Sequence, residues 1–453
     1  MIIKLIAYLC FFLSGFAALV HELSWSRILK QVFISESLST ALVLIIFFGG
    51  IAVGSYFAAA LSKFFYPAKS SFASLFIFSI LNLVLAFLTY LTGNFFNPEH
   101  LFSSLMLAPI SILLGSLFPL LSNFYVAYRE NGTEKSNTVS KIYFVNTFAG
   151  LLAIVFVIFF AFKQLGLKLT LHNLAILHLS IFILSFLPSL FNMKAVVIEI
   201  FESIKIFTLN LSLHSPKNQL SKAFDDDNLE DETPLNIEAQ GSKVLLWLSF
   251  AFGFILLGLE LVWMRAFSLI LASSVYSFAM VLAAVIFGLA LGTFIFYLVA
   301  KPLKLSLGNS FEHDIEHINW LVLLLAALIF ISSFSFKSIT GTYLYLIDSV
   351  GFLLNDFHRE DLYKIALSFM KFILAGIVVV PVSATIAFAS TYLLQIFTYS
   401  DYLNDRSRVL YAGANIGKVF SINTLGGILG SLVTVFFFIP SLEGGLNQCL
   451  RVS

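Results

Sequence analysis

Two acid and base pairs stand inside apolar sequence, where charge is costly. Glu22 and Arg27 fall in GFAALVHELSWSR, and Glu260 and Arg265 fall in GFILLGLELVWMR. A charged side chain at the centre of a bilayer costs on the order of 2.5 kcal/mol or more, so a glutamate and an arginine kept twice imply partners or a wet cavity. Five residues apart, the two charges do not face each other squarely on one helix, and each is expected to reach another helix or the opposite copy. Two chemistries fit. One is a structural ion-pair network with Trp25 and Trp263 as interfacial anchors. The other is a pair of carboxylates lining a cavity for a cation or an amine, with the arginines shaping the same region. Asn146 and Asn423 are amides in apolar stretches that could hydrogen-bond across helices or to a ligand. Glu22, Arg27, Glu260, Arg265, Asn146 and Asn423 are therefore the candidate ligand-binding residues.

No catalytic residue, metal ligand or cofactor is expected. His313-Asp314-Ile315-Glu316-His317 has the H-x-x-E-H form of a zinc protease helix. A zinc peptidase also needs a third ligand and a substrate cleft, and the stretch reads instead as a charged, solvated turn before an apolar run. The sequence contains no GxGxxG, no GxxxxGK[ST] and no GxSxG, so dinucleotide binding, nucleotide hydrolysis and a nucleophile elbow have no basis in it.

The elements that must position these residues are membrane helices. Hydrophobic residues make up 59% of the 453 and charged ones 11%, with a mean hydropathy of +0.96, against roughly 45–50% and about 25% in a soluble domain. Apolar runs of membrane length fall at about 3–26, 37–62, 72–93, 101–128, 139–162, 172–192, 244–268, 274–300, 319–337, 362–397 and 410–440. This predicts an all-α polytopic membrane protein of about eleven transmembrane helices and excludes a large aqueous catalytic domain within the chain. A net charge of +1 gives no sign of nucleic-acid binding. Cys10 and Cys449, at opposite ends, suggest neither a disulfide framework nor a redox site.

Between the sixth and seventh runs, Leu213 to Lys243 carries seven acids from Asp225 to Glu238 and reads as a solvated linker. The stretch from Ala195 before it alternates charged and apolar residues, as a helix lying along the membrane surface does. If the spans alternate, Lys4, Lys63, Lys69, Arg129, Lys135, Lys141, the linker lysines, Lys301, Lys304, Arg406 and Arg408 share one side. The bias of positive charge makes that side the cytoplasm of a bacterial inner membrane, with the N-terminus and the linker inside.

The chain repeats itself. Shifted by 238 without a gap, residues 15–54 align with 253–292 with fifteen of the 40 positions identical, far above what composition gives. The matches include Glu22 with Glu260, Trp25 with Trp263, Arg27 with Arg265, Ser35 with Ser273, Ser39 with Ser277, and Gly50 and Gly54 with Gly288 and Gly292. A second correspondence, shifted by 277, sets SKIYFVNTFAGLLA from Ser140 on GKVFSINTLGGILG from Gly417, pairing Asn146 with Asn423. Six spans separate the copies, so both start from the same side and are parallel repeats about an axis along the membrane normal. The predicted organisation is a six-helix repeat at 1–210, an acidic linker at 211–242 and a five-helix repeat at 243–453 that lacks the counterpart of the sixth helix. Small-residue stripes at Gly49, Phe287 and Gly426 are expected to bring helix backbones into contact, and Pro119 and Pro381 to kink the fourth and tenth spans.

FFLSGFAALVHELSWSR, FFGGIAVGS, LFPLL at Leu117 and YFVNTFAGLLA together resemble the membrane region of fused spermidine synthase-like integral membrane proteins, the major-facilitator/spermidine synthase type. The resemblance implies major-facilitator-like halves and polyamine-related chemistry, with a soluble aminopropyltransferase-like domain after the membrane region. This sequence has no GGGDG-like motif and no room for that domain after Pro440, so only the membrane portion is carried over. The leading expectation is a transporter-like module for a small, cationic, polyamine-related solute. The alternatives are a non-transporting scaffold that docks a membrane or soluble protein subunit, and the membrane half of a split aminopropyltransferase-like enzyme. The Asp and Arg loop signature of ordinary major-facilitator transporters is absent from GSYFAAALSKFFYPAK.

Overall fold

The computed structural model describes residues 2–32, 44–64, 72–95, 106–129, 138–213, 234–270, 275–299, 311–354, 360–399 and 412–440. Ser35, Ser39, Ser273, Lys69, Lys135, the linker over 214–233, Lys301, Lys304, Arg406, Arg408 and the tail with Cys449 lie outside the described residues. Every described element is helical. They are α1 (Ile2–Val32), a π-helical turn (Leu44–Phe48) running into α2 (Gly49–Phe64), α3 (Phe72–Phe95), α4 (Leu107–Arg129), and α5 (Thr138–Phe156) with a π-helical extension (Val157–Leu165). Then come α6 (Gly166–Phe191), α7 (Met193–Leu213), α8 (Pro234–Ile270), α9 (Val275–Val299), α10 (Phe311–Leu354), α11 (Glu360–Tyr399), and α12 (Ala412–Val433) with its own π-helical extension (Thr434–Phe438).

Ten described stretches are long and apolar enough to cross a membrane, and one of them, Thr138–Phe191, has 54 residues. That is more than twice the length that about 20 residues per span requires. Gly166 divides it with φ 70° and ψ −179°, a region that residues with a Cβ avoid. Beyond it α6 packs back against the π-helical end of α5 and against α1, so the stretch crosses twice. The chain is an integral membrane protein whose apolar outer face contacts the bilayer. α8 starts at Pro234, inside the stretch that composition reads as linker.

Packing obeys the repeat. α1 lies on α5 as α8 lies on α12, and α2 lies on α4 as α9 lies on α11. Between the halves, α2 packs against α12 and α5 against α9, so the second helix of each half meets the fifth of the other. Such reciprocity is what a two-fold axis generates, and it is the arrangement expected of parallel, major-facilitator-like halves.

Glycines set the close contacts. A Cβ on Gly15 would collide with the carbonyl of Asn146, and one on Gly253 with that of Asn423. Gly50 and Gly288 are pressed in the same way onto Ser111 and Ser383, and Gly54 and Gly292 onto the carbonyls of Ile112 and Ala384. These last pairs expose a third correspondence, shifted by 272, that sets Pro109-Ile110-Ser111 on Pro381-Val382-Ser383. Pro381 therefore answers to Pro109, not to Pro119. Even the π-helical extensions of α5 and α12 begin at positions 277 apart, Val157 and Thr434.

Two sequence expectations need correction. Trp25 and Trp263 are 0% and 1% exposed, core residues and not interfacial anchors, because each faces inward from a helix covered on that side and buries a large apolar indole. His313 to His317 is no turn but the start of α10. Its two imidazoles meet edge to face at 4.4 Å, while the buried Asp314 carboxylate accepts a 2.8 Å hydrogen bond from Tyr392 of α11. Helix α7, the expected surface helix, is tied to the bundle by Glu199, which accepts the Ala73 N–H at the start of α3 at 2.8 Å. An anion there satisfies an otherwise unpaired donor and complements the helix dipole.

Candidate functional site

Glu22 and Glu260 come from equivalent positions of α1 and α8, and the two carboxylates lie within electrostatic reach of each other across the pseudo-two-fold interface. Each lies deep among protein atoms, yet each is only half-buried in surface terms. Along α1, Ala18, Glu22 and Ser26 share one half-buried face, as Leu256, Glu260 and Met264 do along α8, because residues four apart stack on one side of a helix. Among the described residues, no hydrogen bond or ion pair holds either carboxylate.

The surroundings are asymmetric along the membrane normal. Toward the N-terminal ends of α1 and α8, aromatic rings close the interface. Phe118 of α4 meets Phe420 of α12 at 5.1 Å, and Tyr143 of α5 meets the same ring at 5.5 Å. Beside the glutamates, Leu19, Val20 and Leu23 of α1 pack with Leu282, Ala283 and Ile286 of α9. Toward the C-terminal ends Arg27 and Arg265 are exposed, while Ile28 and Leu29 beside Arg27 stay buried. Arg27 lies 4.7 Å over the ring of Phe162 in the extension of α5, a cation–π contact within its own half.

The six sequence candidates thus separate by depth. Asn146 sits opposite Gly15 and Asn423 opposite Gly253, each seven residues before its glutamate and so about 10 Å from it along the helix. Asn423 donates to the Ser249 carbonyl at 2.8 Å. With Tyr143, Ser249 and Ser390 it lines a cavity of about 20 Å³ between the halves, room for about one water. The glutamates come together, the arginines stand at one mouth, and the asparagines lie at the aromatic closure.

Sequence reasoning missed a second polar cluster. His21, next to Glu22 but turned into the first half, lies 3.2 Å from His178 of α6 between their Nε2 atoms. His178 Nδ1 is 2.9 Å from Asn82 Oδ1 of α3, and Thr89 Oγ1 is 3.5 Å from His21 Nε2. His21, Asn82, Thr89 and His178 are 0% exposed. The signal available was single polar residues in three apolar runs. Asn82 and Thr89 are two turns apart on α3, but His21 and His178 lie 68 to 157 positions from their partners, so only packing brings them together.

No family model matches the chain, and no curated protein matches it. Among solved structures it is similar to a D-xylose-proton symporter, with 16% identity, 96% of this chain and 97% of that chain covered, and a TM-score of 0.46. It is also similar to an auto-inhibited POT family peptide transporter, with 12% identity, coverage of 96% and 91%, and a TM-score of 0.39.

Proposed function

We propose that the chain is a transporter-like membrane module that binds a small cationic solute between its halves, at Glu22 and Glu260. One observation carries this reading. Two carboxylates, at equivalent positions of the two halves, lie within electrostatic reach of each other deep in the bundle while each keeps accessible surface. Paired acids without a protein counter-charge are expensive in a membrane, and a cation between them offsets that cost. Arg27 and Arg265, at the exposed mouth, favour approach of a solute that also carries anionic or hydrogen-bond-accepting groups, or give the glutamates a charged rim. A polyamine is the solute class that the spermidine synthase-like resemblance suggests.

The test is uptake into proteoliposomes with radiolabelled spermidine, putrescine and arginine as probes, on Glu22→Gln and Glu260→Gln variants. Each variant should lose at least tenfold in uptake while remaining abundant and at least as heat-stable as the parent, because removing one of two repelling acids relieves strain. A structural ion-pair network demands the reverse, a loss of stability with each neutralised acid. The scaffold reading expects a protein subunit docked on the bundle. A stoichiometric partner co-purified in mild detergent, with no uptake of any probe, would establish it instead.

A further inference from the structure

We infer that the His21–His178 pair is a proton-binding site in the membrane interior, with His21 Nδ1 as the atom that takes the proton. The hydrogen-bond network fixes the tautomers. Asn82 Nδ2 donates to the Phe78 carbonyl at 2.9 Å, which leaves Asn82 Oδ1 to accept from His178 Nδ1–H at 2.9 Å. His178 Nε2 is then a lone pair. It accepts from His21 Nε2–H at 3.2 Å, because two facing lone pairs would repel.

The consequence falls at the far end of the chain of bonds. His21 Nδ1 is left as a bare lone pair, and it is buried with no hydrogen-bond partner among the described residues. A buried acceptor without a partner costs about 1–3 kcal/mol, so such groups call for an explanation. A proton arriving there from water bonds to that lone pair, breaks no bond, and makes one imidazolium whose charge the Nε2 contact spreads to His178. Chains of Glu and His of this kind carry protons in pumps and transporters.

The groups facing the pair support a single-proton site. On α1 the next residue is Glu22, and Glu260 of α8 lies beyond it. On α6, His172 stacks with Tyr90 of α3 at 5.4 Å, toward the end where α3 finishes. α5 meets α1 at this depth with Ala153, Ile154 and Val157. Its cation, Lys141, meets α1 at Tyr8, thirteen residues or about 20 Å along the helix from His21. α4 meets α1 there too, through Tyr125 on Tyr8 and Phe11. Arg27, Lys163 and Lys168 are exposed. Among these groups Glu22 is the acid next to His21 in the sequence.

The full chain in lipid nanodiscs, labelled with ¹⁵N-histidine and titrated without solute, tests this independently of any transport. His21 and His178 signals are assigned with His21→Gln and His178→Gln. At high pH His21 should show one tautomer with a bare Nδ1, and on acidification the two residues should change together in one step. Two unlinked steps, or no protonation of either residue down to about pH 4, would overturn the inference. Asn82→Ala keeps both imidazoles and removes only the group that orients them, so it should release His21 into mixed tautomers. If His21 keeps its single tautomer in that variant, the network does not set the site.

Discussion

The two halves share their backbone contacts and differ in what they bury. In the first, His21 of α1 meets His178 and Asn82 in a closed polar chain. The equivalent position in the second half is Leu259. In the first, α3 is covered by α6. In the second, the corresponding α10 leaves Trp320, Leu323 and Phe334 bare. What both keep is Glu22 with Glu260 and the glycine contacts of helices one, two, four and five. The shared features hold the halves in their symmetric pose and put acids at the axis. The unshared ones set a buried imidazole pair beside the acid of the first half and an apolar residue, Leu259, beside that of the second.

The comparison breaks most visibly at the glycines. Gly54→Leu and Gly292→Leu each drive a side chain into a carbonyl of the facing helix, and both should lose more than about 3 kcal/mol or fail to fold, read by thermal unfolding in detergent. If one is tolerated, the α2–α4 and α9–α11 contacts are not equivalent. Next in size is the polar chain. Asn82→Leu strands the His178 Nδ1–H and should cost about 1–3 kcal/mol. The triple variant with His21→Leu and His178→Leu copies the apolar second half and should recover most of that loss, since replacing all partners together leaves no stranded group. Failure to recover would mean that the chain is structural as well as chemical.

A smaller effect is expected at the asparagines. Asn423→Ala removes the bond to the Ser249 carbonyl and should cost about 1 kcal/mol. Asn146→Ala should cost less, because the position equivalent to Ser249 is Phe11. Smallest of all, Arg27→Gln gives up a cation–π contact at an exposed site, about 0.5–1 kcal/mol in the same melting assay. A larger loss at Arg27 than at Asn423 would place the structural weight at the mouth instead of the closure.

The membrane class, the number of membrane-length apolar runs, the repeat and the paired acids within it are legible in the sequence alone. Each of these rests on a property that survives without a fold: apolar run length, self-similarity at a fixed shift, and the cost of charge in lipid. The sequence also marked Asn146 and Asn423, though their depth relative to the glutamates followed only from the facing glycines. The tryptophans were misread because type and flank cannot tell an interfacial indole from a buried one, and helix rotation decides which it is. Pro109 was invisible as the partner of Pro381 because three residues are too few to align until Gly50 and Gly288 show what they touch. Only the tertiary structure brought Glu22 to Glu260 and His21 to His178, because residues 238 and 157 positions apart meet by the docking of whole helices, which no local spacing encodes.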